Sequence, residues 1–431
     1  MTGVQTCALP ISLYWLLSPI LWILLPLFAI FNPKLRHHWL NQKSTWLLAG
    51  ERRKKNGEGK QVVLFHAAST GEFEQLKPIL KKVNRSRYFI LLTFFSPTIF
   101  TIEKDTTFAD AVCYHPFDFP WSAKMFLRKF DIQYYIITRN DIWPTHLFIA
   151  QKLGINTVLV NANLYRDKHY NSWLIGKCLK QVFSQFNLIL TGSERLKNNL
   201  LNLVPSEKIQ VTGDSRLDRV IEQKSENKNP LLPECFASSR TLILGSIIPS
   251  DYPVIFDGFA KFYSEGNQSL VDKDHRLIIV PHEINKSELL IIENKLAEIG
   301  FPWAYYSEKE KLQNSRVIII NKIGILANLY RYSDAAYVGA GFGAGVHSII
   351  EPAVYKNMVS FGPNYQIVDM AVSLVKNKLA AVINNSDDFV QFLILLDNTS
   401  KLKIISKKMV EFLTEQKLAL DAIIEAIFTH D

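Results

Sequence analysis

Short runs of apolar, largely β-branched residues alternate with amphipathic stretches along this chain, and the whole alternation occurs twice. The first set is Val62–Phe65, Tyr88–Phe94, Ala111–Tyr114, Tyr134–Thr138, Thr157–Val160, Leu188–Thr191 and Ile209–Thr212, with helical patterns such as Phe73–Lys82, Trp121–Lys129 and Thr145–Leu153 between them. Continuous apolar strands have no solvent face, so they require a parallel sheet covered by helices on both sides. The polar, proline-bearing stretch SENKNPLLP at 225–233 interrupts the pattern. It then restarts with Thr241–Leu244, Leu277–Val280, Val317–Ile320, Ala335–Val338, Met358–Phe361 and Ala380–Ile383. The expectation is an α/β protein of two doubly wound domains. In such sheets ligands sit beyond the carboxyl ends of the strands, so two of them facing each other would enclose a cleft. At 431 residues the chain is long enough for two cores.

The first 45 residues differ from the rest. Leu13–Phe31 carries no charge over 19 residues, about 28 Å if helical, which roughly matches a bilayer core. Pro19 and Pro26 would kink it, and Tyr14, Trp15 and Trp22 suit an interface. Lys34, Arg36, His37, His38 and Lys43 follow, then Arg52, Arg53, Lys54 and Lys55, a bias that places the body on the cytoplasmic side of a membrane. A cleaved signal peptide is disfavoured, since residues 1–12 hold no Lys or Arg. The opening MTGVQTCALPIS reads as out of register with the apolar stretch after it, and nothing is drawn from it.

The motifs with chemical potential lie where strands end. His66-Ala67-Ala68-Ser69-Thr70-Gly71-Glu72 closes the first strand and opens a helix. Small residues and Gly71 leave room at that helix start, and Glu72 either acts as a general base toward a hydroxyl or complements the helix dipole; both readings stand. Arg139-Asn140-Asp141-Ile142-Trp143-Pro144 ends another strand as a charged cluster before a proline able to start a helix. It is an acceptor-contact site or an ordinary helix cap. In the second half Gly245-Ser246 and Pro281-His282-Glu283 end two strands. Ala335–Val338 feeds a loop with glycine at 339, 341, 343 and 345. A helix is expected from about Val346, with His347 and Glu351 on one face. Glycines free of Cβ and a helix start would suit a phosphate or carboxylate, although such a loop also serves as a tight packing turn.

Other classes fit poorly. A dinucleotide site would place its glycines at the first strand–helix turn and an acid after the next strand, and neither is present. Cys7, Cys113, Cys178 and Cys235 form no close pair, and no metal-ligand spacing occurs, so no structural metal is expected. The net charge of +9 comes without the aromatic interleaving of a nucleic-acid binder.

In order, HAASTGE, NDIWP, NANL at 161–164, TGDSRLDRV at 212–220, GS at 245–246, PHE at 281–283 and GAGFGAGVHSIIEPA at 339–353 resemble the 3-deoxy-D-manno-octulosonic acid (Kdo) transferases of lipopolysaccharide biosynthesis. The resemblance implies a membrane-anchored, inverting glycosyltransferase of the GT-B type, with two Rossmann-like domains. Such an enzyme moves Kdo from CMP-Kdo to a hydroxyl of the lipid A precursor on the cytoplasmic face of the inner membrane, without a metal or other cofactor. It implies an anchor and basic flank over 1–45, an acceptor domain over 46–222, a linker over 223–233, a CMP-sugar domain over 234–405, and a helix over 406–431 that can return to the first domain. Glu72 then matches the general base, with Asp141 as a second catalytic carboxylate and Ser69, Gly71 and Arg139 on the acceptor side. Ser246, His282, Glu283, Gly341, Gly343, Gly345, His347, Ser348 and Glu351 match the donor side. Arg216 and Arg219 lie in the interdomain segment and would meet anions. Many members carry two glutamates before Trp-Pro where this chain has Arg139 and Asp141, and His-Asn where it has His347-Ser348, changes that bear on acceptor recognition. A nucleotide-sugar epimerase of the same two-lobed architecture is the alternative enzyme class. A non-catalytic nucleotide-sugar or lipid-binding relative is the third.

Overall fold

The computed structural model describes residues 11–139, 141–165, 173–226, 229–416 and 418–428. The chain divides into two compact units, Met1–Arg219 with Lys417–Asp431, and Val220–Gln416. Each holds one seven-stranded sheet, and every strand pairing is parallel.

In the first unit the strands are β1 Gln61–Ala67, β2 Tyr88–Phe94, β3 Ala111–Tyr114, β4 Ile132–Thr138, β5 Asn156–Ala162, β6 Leu188–Thr191 and β7 Ile209–Val211. Their order is β3-β2-β1-β4-β5-β6-β7. Alternate residues of a strand point to opposite faces, so Val62 and Leu64 join one apolar cluster and Val63 and Phe65 the other. Both faces are therefore core. The order reverses between β1 and β4, and the loops leaving those strands diverge there.

The C-terminal helix Ala419–Phe428 belongs to this unit. Ile423 and Ile427 enter the Val63–Phe65 face of the core. Asp218 caps the helix by accepting the N–H groups of Ala419 (3.1 Å) and Leu420 (3.3 Å). A separate helix, Thr399–Glu415, precedes it. The described part of 406–431 thus holds the end of one helix and the whole of a second.

The N-terminal segment departs from expectation after residue 32. Ile11–Phe31 is a helix containing Pro19 and Pro26. A second helix, Pro33–Asn56, comes next without a break at 45/46, opened by Asn32, whose side chain accepts the Leu35 N–H. Its basic residues had hidden a buried face. Trp46 and Ala49 enter the core, Trp46 Nε1 donates to the Tyr114 carbonyl (2.8 Å), and His38 is buried between the Phe95 and His115 carbonyls. Residues 1–10, which include most of the out-of-register opening, lie outside the described residues.

In the second unit the strands are β8 Arg240–Ile247, β9 His275–Pro281, β10 Trp303–Tyr305, β11 Val317–Ile319, β12 Ala335–Val338, β13 Met358–Phe361 and β14 Ala380–Val382. Their order is β10-β11-β9-β8-β12-β13-β14, reversing between β8 and β12. Helix Ser215–Glu226 runs into the start of the 223–233 stretch read as a linker.

Candidate functional site

In each unit the sequence motifs fall at the reversal point, where diverging loops leave a crevice at the carboxyl ends of the strands. HAASTGE and the 139–144 cluster follow β1 and β4; Gly245-Ser246 and the glycine loop are at the ends of β8 and β12. Left-handed backbone occurs at both edges of the sheets, at Asp131, Asp274, Lys356 and Lys378 before strands and at four residues of this edge. Arg139 (φ 60°), Asn161 (53°), Ser246 (57°) and Ala340 (70°) are non-glycine residues with left-handed backbone, each within two residues of a strand's carboxyl end. Such conformations persist only where surrounding contacts hold them.

In the first unit, helix Thr70–Lys82 opens with a reciprocal cap. Ser69 Oγ accepts the Glu72 N–H (3.3 Å), and Glu72 Oε2 accepts the N–H groups of Ala68 (2.7 Å) and Ser69 (3.2 Å). Glu72 therefore caps the helix, and its half-buried carboxylate sits at the reversal point as well. Burial, and then the charge of Asp141, push its pKa upward, while the Ala68 N–H, His66 and Arg139 oppose the shift. A raised carboxylate is a better proton acceptor.

Asp141 is buried and committed elsewhere. Its Oδ2 is 2.9 Å from His66 Nε2 and accepts Trp143 Nε1 at 2.8 Å. His66 Nδ1 in turn lies 3.2 Å from the Thr93 carbonyl and 3.1 Å from its hydroxyl. Asp141 thus reaches Glu72 through its field and fixes His66, a residue whose role the motif alone did not single out. Arg139 is half-buried; burial lowers its guanidinium pKa first, with Asp214 and Glu72 opposing and Arg216 adding. These two arginines share the edge with Glu72. Arg219 instead pairs with Glu74 (3.0 Å), which Lys77 also holds. Asn140 lies outside the described residues.

Gly71 is exposed, and a Cβ there would meet nothing within 4 Å. The packing around this place does not demand glycine. Gly71→Ala should therefore stabilise the helix, by up to about 1 kcal/mol. If an acceptor approaches there, it should also raise the acceptor KM; thermal unfolding and initial rates on one preparation check both.

In the second unit two of the glycines make the tight packing turn that the sequence also allowed. A Cβ at Gly339 would lie 2.2 Å from the Ser246 carbonyl oxygen, and one at Gly341 would lie 2.4 Å from the Gly362 nitrogen. The loop packs backbone to backbone. Its conformation is pinned by Asp251, a buried side chain the motif reading missed. Asp251 accepts the N–H groups of Ala340 (2.8 Å) and Ile248 (2.9 Å) and the Tyr337 hydroxyl (3.0 Å). Burial raises its pKa and these donors oppose the shift. The only sequence signal was an acid at a helix start two residues after Pro249.

The helix expected from Val346 begins at Ile350 and ends at Val354. Pro352 explains the delay, because it lacks an N–H and is tolerated only in a first turn. Residues 345–349 form an irregular loop instead, with the Val346 N–H on the Asn364 carbonyl (2.9 Å) and the His347 N–H on that of Gly339 (3.1 Å). His347 and Glu351 do not share a helix face. The His347 ring stacks on His282 (4.6 Å between centroids, 13°), and Ser246 Oγ is 2.9 Å from His282 Nδ1. Ser348 donates its hydroxyl to the Glu351 carboxylate. Glu283 is exposed and accepts Asn285 Nδ2 at 2.9 Å. Ser246, His282, His347 and the 339–345 loop are thus brought to one edge, with Glu351 behind Ser348.

Residues 43–219 match the family model of the 3-deoxy-D-manno-octulosonic-acid transferases (kdotransferases). The chain is 25% identical over 355 residues to a 3-deoxy-D-manno-octulosonic acid transferase of Chlamydia muridarum, covering 79% of each chain. It is 26% identical over 363 residues to that of Aquifex aeolicus, covering 82% of this chain and 90% of the relative. Among solved structures, the UDP-GlcNAc 2-epimerase of Neisseria meningitidis bound to UDP-GlcNAc matches in fold, with a TM-score of 0.59 at 14% identity over 86% of this chain and all of that one. The epimerase likeness is one of GT-B architecture, whereas both of these sequence relatives are 3-deoxy-D-manno-octulosonic acid transferases. With its family match lying across the unit that holds Glu72 and His66, this chain is a glycosyltransferase similar to the Kdo transferases.

Proposed function

We propose that this enzyme transfers Kdo from CMP-Kdo to a hydroxyl of the lipid A precursor, with inversion at the anomeric carbon. The observation that carries the reading is the Glu72 carboxylate, raised by burial at the reversal point of the unit the family model matches. Glu72 takes the proton of the acceptor hydroxyl as its oxygen bonds to the anomeric carbon. The bond from that carbon to the CMP phosphate oxygen breaks, and CMP leaves as an anion. Arg139 and Arg216 supply cations on the acceptor side. Ser246, His282 and the 339–345 loop are assigned to the donor. CMP leaves readily, so backbone and side-chain donors suffice for its phosphate and we assign the reaction no metal. EDTA is expected to leave turnover within about twofold; loss of activity restored by a divalent cation would contradict that assignment.

We further assign the enzyme to the cytoplasmic side of the inner membrane. Helix Ile11–Phe31 has mean hydropathy 2.1 in its most apolar window and buries only Ser18, Leu25 and Ala29. Trp15 Nε1 donates to Thr145 Oγ1 (3.1 Å) and the Tyr14 hydroxyl to the Asp118 carbonyl (3.0 Å), so one side of the helix rests on the first unit. Leu16, Ile23, Phe28 and Phe31 are exposed, as is Leu40 of the next helix. Burying such a face is favourable, by roughly 25 cal/mol for each Å² of apolar surface, and the Lys34–Lys43 cations beside it suit anionic lipid. Mass spectrometry of the lipid after incubation with CMP-Kdo tests the proposal. Addition of Kdo supports it; consumption of a nucleotide sugar with unchanged lipid contradicts it.

A further inference from the structure

We propose that the second unit carries an additional anion site, at the sheet edge opposite the glycine loop, which takes a phosphate-bearing group. A cavity of about 480 Å³ opens there. Arg240 begins β8, Asp334 precedes β12 and Lys356 precedes β13, so one wall is the amino edge of the sheet. The other wall is helix Thr399–Glu415, which contributes Lys403, Ser406 and Lys407. Lys403 and Lys407 are one turn apart and share a face.

Four cations therefore line the cavity against one carboxylate. Asp334 is occupied with the Thr241 N–H (3.0 Å), and Arg240 is 3.6 Å from Asp397. Lys356, Lys403 and Lys407 have no carboxylate partner among the described residues. Tyr355 also lines the cavity, and its hydroxyl is buried with no hydrogen-bond partner among the described residues. Lys224 lies over the Tyr355 ring (4.9 Å to its centroid) and donates to the Val354 carbonyl (2.8 Å), adding a fifth cation nearby. Holding like charges together is unfavourable unless an anion relieves it. Several ammonium groups with a guanidinium match the many oxygens of a phosphate, and the volume leaves room for the group it is attached to. A soluble phosphate ester and an anionic lipid headgroup present the same chemistry.

Amine acetylation of the full chain in neutral detergent, read by mass spectrometry, tests the site locally. The probes are inorganic pyrophosphate and mixed micelles containing phosphatidylglycerol. Acetylation of Lys403 and Lys407 should slow by about fivefold when a probe is several times its Kd, with exposed Lys322 unaffected. Protection by pyrophosphate indicates a soluble ester; protection by phosphatidylglycerol alone indicates a headgroup. Lys403→Glu with Lys407→Glu should abolish the protection of Lys356 while leaving CMP affinity unchanged. Equal acetylation rates with and without both probes overturn the proposal.

Discussion

Glu72→Gln is expected to reduce turnover by about two to four orders of magnitude, the usual contribution of a general base, while CMP affinity and the unfolding temperature stay near those of the parent. The choice of glutamine rests on the double role of this side chain. Its Oε2 accepts two backbone N–H groups at the helix start, and an amide oxygen can still accept them, whereas it cannot take a proton from a hydroxyl. Glu72→Ala should add a stability loss of about 1 kcal/mol, typical of a lost cap. If both variants lose activity only in proportion to stability, Glu72 is a cap and nothing more. The pH profile gives a second readout. A base works deprotonated, and burial with Asp141 raises this carboxylate above the ordinary value of 4.5. Turnover in the parent should therefore fall as pH drops through a pKa higher than that of a free glutamate, and this limb should vanish from the residual activity of Glu72→Gln.

Gly341→Ala should destabilise the second unit by about 1–3 kcal/mol, as overpacking does, and should abolish or greatly weaken CMP binding. The added Cβ would lie 2.4 Å from the Gly362 nitrogen and 2.6 Å from its Cα. Both are backbone atoms, so no side chain can swing aside. The β12 and β13 loops must separate, and Asp251, holding the Ala340 N–H, resists the movement. Gly362→Ala places its Cβ 2.6 Å from the Gly341 carbonyl carbon and should give a similar loss. Calorimetric titration with CMP, beside thermal unfolding, checks both. Wild-type affinity in either variant would detach this loop from the donor.

The strands were legible because each is buried on both faces and so reads as an unbroken apolar run; Tyr88–Phe94, Ala111–Tyr114 and Met358–Phe361 coincide with strands of the fold. Trp303–Tyr305 escaped notice, being three residues long directly after Pro302. The helix Pro33–Asn56 was read as a basic flank, since its buried His38 and Trp46 are spaced among cations. At the site, residue types pointed to the right edges of the sheets but not to their contacts. Asp251 is about ninety residues from the loop it holds, a link only the sheet order creates. The glycines at 339 and 341 were compatible with ligand clearance and with a packing turn, and the close approach of neighbouring backbone shows the packing turn. Pro352 was the overlooked signal that the helix could not begin at Val346.

The central claim is a sugar transfer to lipid, and it is tested most directly by the mass of the lipid product formed by purified enzyme from CMP-Kdo and lipid A precursor. The account predicts precursor heavier by one or more Kdo residues with CMP released in equal number, and almost none of this from Glu72→Gln. Unmodified precursor alongside an isomerised nucleotide sugar, or full product from Glu72→Gln, would contradict it.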